Sequence, residues 1–210
     1  MSVKKNKKVA LLDHGSGNVS SVSYILSKLD YNYKITKSAN DLDKSDYLII
    51  PGVGSYSNCM ENINNLGLLN PIKKFVKKNK KVLGICVGMQ IFSTIGDENK
   101  ISNGLDLIPG RVEKMKIDKK FLLPHIGWNN LLDMKQNPLL NGIDNKDYFY
   151  FLHSYIFNTS NKNCLGKVRY ADRLSSAIVT NRKNIFGVQF HPERSQHSGV
   201  KIFKNFLELC

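Results

Sequence analysis

The sequence predicts an α/β protein with a central, mostly parallel sheet flanked by helices and a strand-rich, partly antiparallel second half. Two observations carry this prediction. In residues 9–92 short apolar runs alternate with segments of helical periodicity, and from residue 110 onward strand patterns dominate. The 210 residues suffice for a full core, and no linker or repeat interrupts them, so we expect residues 1–210 to form one domain.

The first half alternates strand and helix, which requires parallel strands joined by crossover helices. Strands are predicted at residues 9–13, 33–36, 47–51 and 82–85, and helices at 19–29, 56–66 and 72–78, with another helix after residue 86. The sequence Gly15-Ser16-Gly17-Asn18 follows the first strand. It lacks the third glycine and the later acidic residue of a dinucleotide-binding loop, so we interpret it as a tight strand–helix turn.

The second half contains successive short apolar segments separated by turns. Strands are predicted at residues 111–117, 148–152, 164–170, 175–180 and 185–190, and a final helix at 200–209. Ligands of parallel sheets lie beyond the carboxyl ends of the strands. We therefore expect the residues that follow the strands at 47–51 and 82–85 to share one crevice.

Composition argues against nucleic-acid-binding, membrane-spanning and zinc-binding proteins. The net charge is +14, from 31 Lys and Arg against 17 Asp and Glu, with lysine clusters at residues 4–8 and 73–81. A nucleic-acid-binding role is one alternative, but no recognisable nucleic-acid module accompanies the lysines, and we interpret them as a solvated surface. No apolar run has membrane-spanning length and no secretory segment is recognisable, so a cytoplasmic protein without membrane contact is expected. The four cysteines form no CxxC pair, which argues against a zinc site.

Cys86 is the first candidate catalytic residue. It lies between a predicted strand and a predicted helix, with Gly84 and Gly88 two residues away on either side. Such a turn holds its central residue in an uncommon backbone conformation, and the glycines remove side chains that would clash. A sulfur at a helix N-terminus is favoured as thiolate. We therefore predict a nucleophile, although a lone cysteine is more often a buried structural residue.

A base and an orienting acceptor for this thiol are predicted at the end of the strand at 185–190. His191 follows it directly, Pro192 favours an extended backbone there, and Glu193 lies two residues on. His191 would take the proton from Cys86, and Glu193 would hold the imidazole. The alternative that these three residues ligate a metal is disfavoured, because the two-residue spacing is unlike a zinc motif and no fourth ligand is apparent.

Two further segments are candidates for contact with a substrate. The backbone N–H groups of Gly52, Val53 and Gly54 follow a buried strand, and two glycines allow close approach to an oxyanion. Gln90 lies one helical turn beyond Cys86, where its amide would hold a polar substrate.

These motifs carry a family resemblance. The segments GICVGMQ (84–90), PGVG (51–54) and GVQFHPE (187–193) resemble class I, Cys–His–Glu glutamine amidotransferases, and the similarity runs nearly end to end. Met89, the segment PHIGWN (124–129) and the segment HSY (153–155) are similar to those of the glutaminase subunits of imidazole glycerol phosphate synthases. The resemblance implies a single-domain class I glutamine amidotransferase fold.

The resemblance also implies an activity. Glutamine would be hydrolysed at Cys86 through a γ-glutamyl thioester, without a cofactor or metal, and ammonia would pass to a cyclase subunit, a (β/α)8 barrel, in a heterodimer. Gly54 and Gln90, with the segment formed by His153, Ser154 and Tyr155, would surround the glutamine. The partner interface would include Pro124, His125, Gly127, Trp128 and Asn129. Without the resemblance, Trp128 would be interpreted as a core aromatic residue and His153 as a satisfied buried histidine.

Departures from the family pattern keep alternatives open. His14 replaces a usual tyrosine, Ser21 a common basic residue, Val87 the usual leucine and Arg194 the usual lysine. None of these positions belongs to the predicted triad. A paralogue that aminates or amidinates cell-surface sugars is one alternative, and a free-standing γ-glutamyl hydrolase or peptidase of similar fold is another.

Overall fold

The computed structural model describes residues 7–181 and 183–210. Its first half consists of strands β1–β4 and helices α1–α5. In chain order these are β1 (Val9–Leu12), α1 (Val19–Lys28), β2 (Tyr33–Thr36), α2 (Ala39–Asp43), β3 (Tyr47–Gly52), α3 (Tyr56–Asn65), α4 (Leu69–Lys77), β4 (Lys81–Cys86) and α5 (Val87–Gln90).

The second half is dominated by strands, as the sequence predicts. In chain order its elements are β5 (Ile95–Gly96), β6 (Ser102–Asn103), β7 (Gly110–Lys114), β8 (His125–Asn130), β9 (Tyr148–His153), β10 (Tyr155–Thr159), β11 (Cys164–Tyr170), β12 (Arg173–Thr180), β13 (Ile185–Val188) and α6 (Gln196–Glu208). Short 3₁₀ turns lie at Pro138–Leu140, Asn161–Asn163 and Pro192–Arg194.

The central sheet has seven strands in the order β11-β12-β13-β4-β3-β1-β2. Five neighbouring strands, from β13 to β2, are parallel, and β12 and β11 extend the sheet antiparallel. The strands β1 and β3 are buried along their whole length, which explains their uninterrupted apolar sequences. The prediction of a mostly parallel central sheet with a partly antiparallel second half is confirmed.

Two smaller sheets complete the second half. One has four strands in the order β10-β7-β5-β6, and the other is the antiparallel pair β8–β9. The β8–β9 pair lies against the carboxyl end of β13 in the central sheet. The backbone N–H of His191, which follows β13, donates to the Tyr150 carbonyl of β9 over 2.8 Å. One apolar core joins the sheets and helices, with Phe149, Phe151 and Phe190 fully buried.

Several predicted boundaries were wrong. The strands β5, β6, β8 and β10 and the helix α2 were not predicted, because each is two to six residues long and carries little periodicity. The strand predicted at 185–190 ends at Val188, the one at 111–117 spans Gly110–Lys114, and the final helix begins at Gln196. The lysine cluster predicted at residues 4–8 lies partly outside the described residues.

None of the helices within residues 7–181 and 183–210 combines the length and apolar character needed to cross a bilayer.

Candidate active site

Cys86 is the last residue of β4 and forms a sharp turn into α5, which begins at Val87. Its backbone has φ 55° and ψ −111°, a conformation that non-glycine residues rarely adopt. The flanking glycines allow the turn to pack: a Cβ on Gly88 would lie 1.9 Å from the Ile50 carbonyl oxygen, and one on Gly84 would lie 2.3 Å from the Gly88 oxygen. Both predicted glycines are therefore required because backbone atoms occupy the space where a side chain would begin. The helix beyond it is only four residues long.

His191 and Glu193 form a buried pair at the carboxyl end of β13. The His191 Nδ1 atom lies 2.9 Å from Glu193 Oε1, and the two side chains are 4% and 1% exposed. Burial by itself would lower the pKa of His191. Charge interaction and a hydrogen bond with Cys86, followed by the contact with Glu193, instead raise it to about 10. The imidazole of His191 is therefore stabilised in its charged form when Cys86 is a thiolate.

The backbone around His191 is fixed by Ser195 and Tyr150. The Ser195 hydroxyl donates to the His191 carbonyl over 2.6 Å and accepts from the Tyr150 N–H over 3.0 Å. Because His191 N–H also donates to the Tyr150 carbonyl, two hydrogen bonds join strand β9 to the segment of residues 191–195. Ser195 was not predicted as a site residue.

Asn18 is another residue that the sequence reasoning missed. Its Nδ2 donates to Glu193 Oε1 over 3.3 Å, across 175 residues of sequence. The other carboxylate oxygen, Glu193 Oε2, is buried without a hydrogen-bond partner among the described residues. The Gly15-Ser16-Gly17-Asn18 turn therefore joins strand to helix, as predicted, and also supports the carboxylate.

The sulfur of Cys86 opens into a cavity of about 230 Å³. Predicted site residues from all parts of the chain lie on its wall: Val53, Gly54, Cys86, Gln90, Pro124, His153, Ser154, Tyr155 and His191. Val87, Glu98 and Leu152 complete the lining. The structure thus brings the predicted nucleophile, base and substrate residues together, and it places Pro124 in the cavity wall as well.

Gln90 is buried behind the cavity, and both of its N–H donors are engaged. Its Nε2 lies 3.0 Å from the Tyr155 carbonyl oxygen and 3.1 Å from Gln189 Oε1. A primary amide carries two N–H groups, so these contacts use both. Gln90 therefore has only its carbonyl oxygen left for a substrate.

His153 and His125 form a buried pair beneath the cavity wall. His153 Nδ1 lies 2.9 Å from the Tyr155 carbonyl, and His125 Nδ1 lies 3.2 Å from His153 Nε2. Because a carbonyl only accepts, His153 carries its proton on Nδ1 and accepts from His125. Burial lowers the pKa of His125 to about 4 and that of His153 to about 3. His153 is thus both a satisfied buried histidine and a cavity residue.

The predicted oxyanion segment begins at the last residue of β3. The Val53 N–H donates to the Ser16 carbonyl over 2.8 Å. His14 Nε2 lies 2.6 Å from the Pro51 carbonyl oxygen and fixes the start of the segment. Gly54 has φ 87°, in the region that glycine adopts freely. In this structure the Val53 N–H therefore donates to Ser16, which does not line the cavity.

Glu98 is an acidic residue of the cavity wall that was not predicted. Its Oε2 accepts from the Tyr56 N–H over 2.8 Å at the start of α3. Burial, together with the charge of Asp97, raises the pKa of the Glu98 carboxyl, and the Tyr56 hydrogen bond opposes the shift. A half-buried carboxyl beside the nucleophile is suited to a cationic group of a substrate.

The predicted partner segment forms strand β8, and its register with β9 separates two faces. Ile126 pairs with Leu152 and Trp128 with Tyr150. Ile126, Trp128 and Leu152 are exposed, and Tyr150 on the same face is half-buried. Trp128 is 47% exposed, so the interpretation as a core aromatic residue was wrong. Tyr148 lies on the same face, and Leu122 lies just before β8. We define the β8–β9 face as the six residues Leu122, Ile126, Trp128, Tyr148, Tyr150 and Leu152.

The structure also gives the surroundings of three other predicted interface residues, of which only His125 is buried. His125 is 2% exposed and stacks between the rings of Phe151 and Tyr170 at 4.8 and 4.3 Å. Direct contact of the His125 side chain with a partner is therefore inconsistent with this structure, since burial removes it from the surface. Asn129 Nδ2 donates to the Arg169 carbonyl, and Gly127 has φ 133° within β8.

No group of three or more His, Cys, Asp or Glu side chains suited to a metal ion exists among residues 7–181 and 183–210.

Comparison with known proteins gives concordant similarities. The model of the family "Glutamine amidotransferase class-I" matches residues 10–210. The imidazole glycerol phosphate synthase subunit HisH 1 of Campylobacter jejuni (strain RM1221) is 40% identical over 202 residues, 96% of this chain and 100% of the relative. The subunit HisH of Methanosarcina acetivorans is 37% identical over 205 residues, 97% of this chain and 100% of the relative. Among solved structures, PurLQS of Thermotoga maritima shares the fold, with a TM-score of 0.70, 17% identity and coverage of 96% of this chain and 97% of that chain.

Proposed function

The chain belongs to the class I glutamine amidotransferases, and from this we propose that it is the glutaminase subunit of an imidazole glycerol phosphate synthase. It hydrolyses glutamine to glutamate and ammonia and supplies the ammonia to a cyclase subunit in histidine biosynthesis. The observation that carries the proposal is that Cys86, on its strained turn, lines one cavity with His191, whose imidazole is paired with the buried Glu193.

The chemistry follows from the order of these groups. His191 takes the thiol proton as the sulfur of Cys86 bonds to the amide carbon of glutamine, and the C=O electron pair moves onto oxygen. When the oxyanion collapses, the C–N bond breaks and His191 gives its proton to the leaving ammonia. Water then attacks the γ-glutamyl thioester with His191 as base, and glutamate and the thiol are released. Glu193 stabilises the imidazolium through the 2.9 Å contact in both halves.

The oxyanion must be stabilised by N–H donors, and the structure presents only some of them to the cavity. The N–H of Val87, first residue of α5, has no intrahelical acceptor and adjoins the nucleophile, so we assign it as one donor. The second would come from the segment of Gly52, Val53 and Gly54. Because Val53 N–H now donates to Ser16, this segment must reorient before it contributes. Losing one such donor typically costs about 10²–10³ in turnover, which suits an enzyme that idles without its partner.

Substrate binding is assigned from the polar atoms of the cavity wall. The carboxylate of Glu98 and the free carbonyl oxygen of Gln90 are acceptors for the α-ammonium of glutamine. The segment His153–Tyr155 closes the opposite wall, with Ser154 offering a hydroxyl. A short carbon chain between these groups and Cys86 fits about 230 Å³ of cavity.

The partner surface is assigned to the β8–β9 face. An exposed apolar set of this kind on a free chain is typical of an interaction site. Trp128 and Tyr150 pack edge to face at 5.9 Å, and the backbone of Tyr150 bonds that of His191. A partner that orders Trp128 therefore acts on a strand already bonded to the catalytic base. We propose a cyclase subunit with a (β/α)8 barrel as this partner, and the cytoplasm as compartment, where a free thiol nucleophile stays reduced.

The proposal is tested by covalent labelling of the whole chain. Diazo-oxo-norleucine, a reactive glutamine analogue, is expected to modify Cys86, because its sulfur faces the cavity, while Cys59 and Cys164 are buried elsewhere. Mass spectrometry of the digested protein locates the adduct. A label that falls mainly on Cys59, Cys164 or Cys210, or glutamate release that survives Cys86→Ala, would contradict the assignment.

A further inference from the structure

Gln189 is a buried amide that the catalytic scheme above does not use. It follows β13 directly, two residues before His191, and is 0% exposed. Its Nε2 lies 3.7 Å from the sulfur of Cys86, within hydrogen-bonding distance for sulfur. Its backbone N–H donates to the Ala177 carbonyl over 2.8 Å, so strand β12 holds the residue in place.

The neighbours of Gln189 fix which end of its amide meets the sulfur. The Tyr155 carbonyl only accepts hydrogen bonds, so Gln90 must turn its NH₂ group toward it. The same NH₂ group faces Gln189, which must therefore present its carbonyl oxygen to Gln90, at 3.1 Å. The NH₂ end of Gln189 is then left facing Cys86. The opposite amide orientation would set two NH₂ groups against each other.

A second chain of hydrogen bonds ends at the Tyr155 carbonyl, which therefore stays an acceptor. This carbonyl also accepts from His153 Nδ1, and the Nε2 atom of His153 accepts from His125. All of these side chains are buried, so competing water does not reorient them.

We propose that Gln189 is a further catalytic residue, an N–H donor to the thiolate of Cys86, whose direction is imposed by Gln90 and the Tyr155 carbonyl. The inference rests on the proposed function, because it requires Cys86 to be the nucleophile. In this proposal Gln189 donates a hydrogen bond to the sulfur that His191 deprotonates.

The chemical effect depends on the charge of the sulfur. In the resting thiol the sulfur lies 3.9 Å from the Leu152 carbonyl oxygen, and a neutral sulfur is a weak acceptor. When His191 removes the proton, the N–H of Gln189 meets a full negative charge. Charge-assisted hydrogen bonds are about twice as strong as neutral ones. Gln189 therefore favours the thiolate before attack and again as the thioester releases it.

Other titratable groups also face Cys86 and bear on its ionisation. His191, His153 and Glu98 line the same cavity, Cys59 on α3 interacts with Cys86 by charge, and Glu193 acts through its contact with His191. The test therefore changes Gln189 alone.

The test measures how the alkylation of Cys86 by iodoacetamide depends on pH in Gln189→Met, with the adduct located by mass spectrometry. Methionine keeps the length of the side chain and removes both hydrogen bonds. The midpoint of the alkylation profile is expected to rise by about one pH unit, and kcat for glutamate release to fall about tenfold, with KM within about threefold. The matched control is Gln136→Met, at an exposed position away from the cavity, which should leave the profile unchanged.

A second measurement needs no variant at Gln189. In the unmodified chain with ¹⁵N-labelled glutamine, the side-chain amide signal of Gln189 is expected to shift with the same midpoint as the alkylation of Cys86. An unchanged alkylation midpoint in a folded Gln189→Met protein would overturn the inference, and so would an amide signal that is constant over that pH range. If iodoacetamide does not label Cys86 at any pH, the proposed function fails as well, and the two failures are thereby distinguished.

Discussion

At the scale of single residues, the carboxylate of Glu193 has few partners for a buried charge. One oxygen accepts from His191 and Asn18, and the other has no partner among the described residues. A buried charge is costly unless it is paired and hydrogen-bonded. Asn18 therefore supports the orientation of Glu193, and through it that of the catalytic base.

This arrangement predicts graded losses within the triad. His191→Asn should lower kcat by about 10⁴, nearly as much as removal of the thiol, because nucleophile and base act as a unit. Glu193→Gln should cost about 10²–10³, and Asn18→Ala about tenfold, since each acts only through His191. Steady-state glutamate release measures all three, and Asn64→Ala, at an exposed position on α3, is the control. Loss of turnover in Glu193→Gln with most activity kept in His191→Asn would contradict these roles.

Glu98 allows a second prediction at this scale. If its carboxylate holds the α-ammonium of glutamine, Glu98→Gln should raise KM about tenfold and change kcat by less than about threefold, because the interaction is equal in ground and transition states. The amide still accepts the Tyr56 N–H, so the start of α3 is preserved. Glu61→Gln, which affects only an exposed pair with Lys100, serves as control. Equal KM values in the two variants would exclude this role.

At the scale of elements, the strained turn between β4 and α5 depends on contacts that exclude a side chain. A Cβ on Gly88 would lie 1.9 Å from the Ile50 carbonyl oxygen, so Gly88→Ala must displace β3 or α5. We expect it to lower the free energy of unfolding by at least about 3 kcal/mol, measured by urea denaturation. In Gly166→Ala the new Cβ meets its nearest atoms at 3.8 Å, so stability should change little. Comparable losses in the two variants would disprove the packing argument.

The buried histidine pair beneath β8 and β9 predicts a pH dependence of stability. Burial lowers the pKa of His125 to about 4, below its value near 6.5 in the unfolded chain. The unfolded chain binds the proton more readily, so the stability contribution is present above about pH 6.5 and is lost as the pH falls toward 4. At pH 5 the loss from His125 amounts to about 2 kcal/mol.

The variant His125→Phe separates this titration from packing. Phenylalanine preserves stacking against Phe151 and Tyr170 but cannot be protonated. The variant should be about 1 kcal/mol less stable at pH 7.5, through loss of the hydrogen bond to His153, yet lose less stability between pH 7.5 and 5. Urea denaturation at both pH values measures the difference. Parallel losses in the two proteins would show that His125 does not titrate in this range.

At the scale of the whole molecule, the sequence predicted the site residues whose partners lie within a few positions along the chain. The strained turn at Cys86 was predicted because its glycines lie within two residues, and the pairing of His191 with Glu193 because a strand end places them together. Asn18 and Gln189 were missed because their partners, Glu193 and Cys86, are 175 and 103 residues away. The burial of His125 was also missed, since it depends on the register of β8 with β9.

The whole molecule also explains why this chain should be slow by itself. The residues of the proposed triad lie close together, but the Val53 N–H donates to Ser16, which does not line the cavity. The β8–β9 face, which carries Trp128, is bonded to the segment of His191 and remains exposed in the free chain. A partner docked on this face and bound to its own ligand would shift the population toward an arrangement with a complete oxyanion site. A coupling free energy of about 3–4 kcal/mol gives a few-hundred-fold activation.

The most direct test is glutamate release by the full chain, alone and with the cyclase subunit of the same organism and its phosphorylated ribulosyl ligand. We predict very slow hydrolysis by the isolated chain and an acceleration of about 10²-fold or more in the liganded complex. Trp128→Ala should reduce the acceleration, while Tyr24→Ala, which is 64% exposed on α1, should preserve it. Rapid hydrolysis by the isolated chain that no partner changes would contradict the account and favour a free-standing hydrolase.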